Sequence, residues 1–93
     1  MHLSKEKQEG IEKRLNRIEG QVRGLGKMVT DDRYCGDILA QISAVQVALR
    51  SVAKIIARNH LETCVTDALR SGKKAQAEKT YDEIMRLLYD QIK

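Results

Sequence analysis

The stretch YCGDILAQISAVQVALRSVAKIIARNHLETCVTDALR, residues 34–70, decides the fold. It holds no proline, and its one early breaker, Gly36, falls in the first turn. Ile38, Ile42, Val45, Leu49, Val52 and Ile56 recur at helical period, which predicts a single long helix with an apolar face. Ala40, Ala44, Ala48 and Ser51 add a ridge of small residues. Such a ridge admits a close neighbouring helix, although alanine is also simply a good helix former. The following SGKK places Gly72 where a helix C-terminus favours glycine.

Upstream, Ser4 is an N-cap with Glu6 in the first turn. Ile11, Leu15, Ile18, Val22, Leu25 and Val29 then form a heptad stripe on a first helix of about 25 residues. Gly10, Gly20, Gly24 and Gly26 weaken that helix, so GLGKM either frays or packs closely. TDDRY (residues 30–34) supplies the turn, with Asp31 or Asp32 able to cap the next helix. Downstream, a short third helix carries Tyr81, Ile84, Leu88 and Ile92 on one face. No repeat, low-complexity tract or linker divides the chain.

Ninety-three residues amount to one domain, 1–93, near the lower limit for a self-sufficient core. Burial by a second copy is therefore expected. Phe, Trp and Pro are absent, and the hydrophobic 42% comes almost wholly from aliphatic side chains. The expected class is all-α: a three-helix protomer with one long central helix. No uninterrupted apolar run approaches the roughly 20 residues of a membrane span, and the charged start MHLSKEKQEG is unlike a signal peptide. Both features point to a cytoplasmic protein without a membrane partner. The net charge is +4, and residues 1–30 hold most of the excess, with seven Lys/Arg against four Glu. That suits a polyanion such as DNA, while a solvated basic face has the same composition.

NHLETC (residues 59–64) sets His60 and Cys64 four positions apart, on one helix face and within reach of a common ion. The only other cysteine is Cys35. On one helix it stands 29 positions from Cys64, on the order of 43 Å at 1.5 Å per residue. A single protomer cannot join the two ends. Two copies can, if their long helices pack antiparallel about a twofold axis near Ala48 and Leu49. Each dimer then has two equivalent sites, with Cys35 from one chain facing His60 and Cys64 from the other. Two thiolates and an imidazole suit Cu(I), whereas Zn(II) needs a fourth ligand, for which His2 is the spare histidine. The residues alone leave buried free thiols or a redox pair open.

RLNRIEGQVRGL (14–25), DRYCGDILAQISAVQ (32–46) and NHLETC (59–64), taken in order, resemble the copper-sensing branch of the CsoR/RcnR family of bacterial metal- and stress-responsive repressors. The resemblance covers nearly the whole chain. It implies an antiparallel four-helix-bundle homodimer and a dimer-of-dimers homotetramer. It also implies a transcriptional repressor, not an enzyme, that binds operator DNA when metal-free and leaves it on binding Cu(I), switching on copper efflux. By position the resemblance assigns copper to Cys35, His60 and Cys64. Around them it places Tyr34 and a glutamate of the last helix, which is Glu83 if KKAQA contains a three-residue insertion and Glu78 otherwise. Such neighbours hydrogen-bond the metal-bound imidazole and fix its tautomer.

No helix-turn-helix or basic-zipper pattern is present, so DNA contact falls to a surface. Its residues are Lys13, Arg14, Arg17 and Arg23 on the first helix, and Arg50, Lys54 and Arg58 at i, i+4 and i+8 on the second. The resemblance places Arg14 and Lys54 in the family's basic patch, with Gln21 beside them. It also favours a basic residue near Ser51, where this chain instead has Arg50. The rival reading is a persulfide or thiol-oxidation sensor using Cys35 and Cys64 across the same dimer. A purely structural helical oligomer is the remaining alternative. A thiol enzyme finds no support, since neither a CxxC pair nor a glycine-rich catalytic loop occurs.

Overall fold

The computed structural model describes residues 3–92, and it consists of three helices: α1 (Lys5–Thr30), α2 (Cys35–Ser71) and α3 (Lys74–Ile92). The first two match the expected extents. The third is longer than expected, at 19 residues, because nothing between Lys74 and Ile92 breaks it. α1 passes unbroken through its glycines, and a methyl group at Gly10, Gly24 or Gly26 would meet nothing within 4 Å.

The turn between α1 and α2 works differently from the expected capping. Asp31 and Asp32 close α1; they do not open α2. Asp32 takes a left-handed φ of 55°, and its N–H bonds to the Val29 carbonyl at 3.1 Å while the Arg33 N–H reaches the Met28 carbonyl at 3.0 Å. This paired closure satisfies carbonyls that the last turn leaves orphaned. α2 then starts under the Tyr34 carbonyl, which accepts from the N–H groups of Asp37 and Ile38. At the far end of α2, Gly72 adopts φ +73° and its N–H bonds to the Ala68 carbonyl at 2.8 Å, the expected glycine closure.

The chain divides into two compact units: one holds α1 and α2 as far as Val52, and the other the rest of α2 with α3. In the first, Ile11 and Ile18 of α1 and Val45 and Val52 of α2 are buried, so these rows of sevenfold spacing face each other. The neighbouring rows are open. Leu15, Val22 and Val29 on α1 are 42%, 50% and 63% exposed, and Ile42 and Leu49 on α2 are 37% and 45% exposed. Each predicted stripe is therefore two rows wide, of which the protomer covers one.

In the second unit Ala57 and Asn59 are buried, and Ala77, Thr80, Ile84 and Leu88 form the half-buried face of α3. Tyr81, expected on that face, is exposed, one position round the helix from Thr80; the side chain of Ile92 lies outside the described residues. No large side chain among the described residues is fully buried. Although charges such as Arg50 interrupt its apolar residues, α2 is by length and composition long and apolar enough to cross a bilayer. A helix apolar around much of its girth is equally what the centre of a bundle requires.

Candidate metal centre and nucleic-acid surface

Cys35 is the first residue of α2, and its thiol is free and exposed. A negative ligand here stands at the amide end of the helix, where the macrodipole favours it. Tyr34, directly before it, is 71% exposed.

His60 and Cys64 lie one turn apart near the other end of α2, both half-buried. They line a groove of about 330 Å³ whose opposite wall is Gln76, Ala77 and Thr80 of α3. His60 also borders a second, mostly apolar groove with Ile56, Ile84, Leu87 and Leu88. His60 thus borders both grooves. Thr63, between the donors in sequence, sends its hydroxyl back to the Asn59 carbonyl at 2.9 Å, leaving His60 and Cys64 as the side chains that supply soft donors to the groove.

Cys35 and Cys64 stand 29 positions apart on the same unbroken helix, and no group of three His, Cys, Asp or Glu donors forms among the described residues. His2 lies outside the described residues. The pattern of faces is informative. Cys35, Ile42 and Leu49 fall seven positions apart in one row. The small-residue ridge Ala40, Ala44, Ala48 and Ser51 lies on the other flank of the buried row.

Of the two glutamates considered for the outer position, Glu83 lies between Thr80 and Leu87 on the row 76, 80, 83, 87, whose other members border the His60 grooves. Glu78 instead lines a separate groove with Leu69 and Tyr81. Both carboxylates are exposed.

The basic candidates divide by face. Arg14, Arg17 and Gln21 share one flank of α1 with Lys13 at its edge, all exposed, on the side of the buried row away from Leu15 and Val22. Arg23 points about 180° from Arg14 and carries Glu19 at 3.6 Å. Arg50, Lys54 and Arg58 face away from Val45 and Val52, with Arg50 half-buried and Arg58 held by Glu62 at 3.2 Å. Lys13, Arg14, Arg17, Arg50 and Lys54 have no carboxylate within ion-pairing distance among the described residues, so they are the cations available to an outside anion.

One residue escaped the sequence reading. Asn59 is 6% exposed and continues the row Ile38, Val45, Val52 by another seven positions. The signal was the spacing itself, hidden because apolar periodicity counts only apolar residues.

Comparison with known proteins gives this arrangement a context. A family model described as "Metal-sensitive transcriptional repressor" matches residues 7–90, across both units. The chain is 53% identical over 76 residues to the copper-sensing transcriptional repressor CsoR of Bacillus subtilis, covering 82% of this chain and 75% of that one. It is 49% identical over 71 residues to the copper-sensing transcriptional repressor RicR of Mycobacterium tuberculosis, covering 76% and 74%. Among solved structures, the copper-sensing repressor CsoR with Cu(I) from Geobacillus thermodenitrificans matches at a TM-score of 0.81 and 47% identity, over 100% of this chain and 94% of that one. The nickel-responsive transcriptional regulator InrS matches at 0.84 and 34% identity, over 95% and 99%. A three-helix protomer with soft donors at both ends of its central helix, aligned over most of its length with repressors, belongs to the metal-sensitive transcriptional repressor family.

Proposed function

We propose that this chain is a Cu(I)-responsive repressor acting in the cytoplasm, with residues 1–93 forming one functional domain. Metal-free, it holds operator DNA; on binding Cu(I) it lets go and derepresses copper-efflux genes. The observation that carries the reading is the set of soft donors on α2: His60 and Cys64 stand one turn apart on a common groove, and the free thiol of Cys35 opens the face that carries the exposed Ile42/Leu49 row. A second copy laid antiparallel on this face buries the open rows and brings Cys35 to the partner subunit's His60 and Cys64 in the same step. The relatives' names, copper-sensing in each case, support the choice of metal.

The donor set fits Cu(I): two thiols, both free, and one imidazole are soft ligands in low number. Bound Cu(I) would supply a soft centre linking the two protomers. The work of the chain's own residues is to present that set, to keep water from it with the apolar row, and to orient His60, whose free ring N–H would donate to the Glu83 carboxylate, while Tyr34 lies beside Cys35. Arg14, Arg17, Lys13, Arg50 and Lys54, with Gln21, form the surface that meets phosphates, while Arg23 and Arg58 reach DNA only by leaving their carboxylates. Two dimers joined as a tetramer double that surface. Metal and DNA compete through shape, so each weakens the other by the same factor.

Anaerobic titration with Cu(I), read by ultraviolet thiolate absorption alongside operator gel shifts, tests the reading. Wild type should take up one Cu(I) per protomer and release DNA as it fills. His60→Ala should bind at least tenfold more weakly and stay on DNA at the same metal concentration. Unchanged copper binding by His60→Ala, with DNA released by polysulfide, would instead indicate a persulfide sensor.

A further inference from the structure

Gly36 is the one glycine of the chain where added bulk has no room. A Cβ there would stand 3.0 Å from Tyr34 Cζ and 3.1 Å from Cδ2, and closer still to Cε2, whereas at every other glycine the nearest atom is no closer than 4.0 Å. The resemblance gives this position no role and the apolar periodicity passes it by; the sequence shows it only as a breaker in the first turn of α2.

The Tyr34 ring lies back along that turn, on the bare backbone of Gly36, although most of its surface is open and little else restrains it. We propose that Gly36 is a positioning residue for the metal centre: it seats the Tyr34 ring beside Cys35, so that the phenol hydroxyl has one place from which to reach the ligands assembled there. The proposal rests on the Cu(I)-sensor reading above. An aromatic ring is rigid beyond χ2, so it cannot yield to a methyl group by bending; it has to swing to another χ1 rotamer, away from the first turn. An alanine therefore leaves Cys35 on the helix and removes its neighbour. Glycine is otherwise an unfavourable choice inside a helix, so Gly36→Ala should leave the fold at least as stable.

The test separates seating from sensing. In the metal-free wild type, NMR should show the Gly36 Hα protons shifted upfield by the ring current of Tyr34. Tyr34→Ala should return them to the ordinary glycine range. In Cu(I) competition against a chelating dye, Gly36→Ala should bind about tenfold more weakly than wild type, with an undiminished thermal midpoint. Placed in a Tyr34→Ala background, Gly36→Ala should change affinity by less than about twofold, because its effect passes through the ring. Ordinary Gly36 Hα shifts in the wild type, unchanged affinity in Gly36→Ala, or an equal loss in both backgrounds would each overturn the inference. A wild type that binds no Cu(I) would overturn the sensor reading and the Gly36 role with it; it is told apart because the ring-current shift would persist.

Discussion

Asp32 occupies a place that helices usually give to glycine. At φ 55° its Cβ crowds the backbone, and its carboxylate sits at the end of α1 where the macrodipole disfavours negative charge. Asp32→Gly should therefore raise unfolding stability by about 0.5–1 kcal/mol, after allowing for the greater freedom of glycine in the unfolded chain, as a shift in urea midpoint at constant slope. A lower midpoint would mean that the Asp32 side chain contributes more than its backbone conformation costs. The same residue shows the limit of reading caps from composition. An aspartate between two helices suits an N-cap and a C-terminal closure alike, and only the backbone decides between them. The helix placement of Cys35, His60 and Cys64 was legible because it needs only the unbroken run of α2 and the spacing along it. Asn59 was not, since its burial depends on what packs against its row.

At the scale of the element, helix extents were legible wherever a breaker or its absence fixed them, as with Gly72 and the unbroken run of α2. Which apolar row a protomer covers was not. Ile11, Leu15, Ile18 and Val22 are indistinguishable as a stripe until a second helix chooses a side. α1 also carries glycines with empty space around them. At Gly26, where a methyl would meet nothing within 4 Å, Gly26→Ala should stabilise the helix by about 1 kcal/mol, seen as a higher urea midpoint. A destabilised Gly26→Ala would show that a partner's backbone comes close to this position in the assembly.

At the scale of the whole molecule, the open rows are the surface that the proposed assembly would cover. Covering Leu15, Val22 and Val29 with apolar neighbours gains about 1 kcal/mol apiece for the part still exposed, and the α2 row adds to it. Val22→Glu places a charge in that seam, where burial without a partner is costly. Sedimentation velocity should find Val22→Glu shifted from assembled species towards monomer, with helical content retained; an assembly as tight as wild type would move the interface elsewhere on the chain. The fold has a practical corollary in its light emission. Tryptophan is absent, and Tyr34, Tyr81 and Tyr89 all lie on the protomer's outside. Tyrosine fluorescence is thus silent about the interior and reports only what approaches the skin of the molecule, so docking of a copy, a metal or a duplex can be followed without a dye.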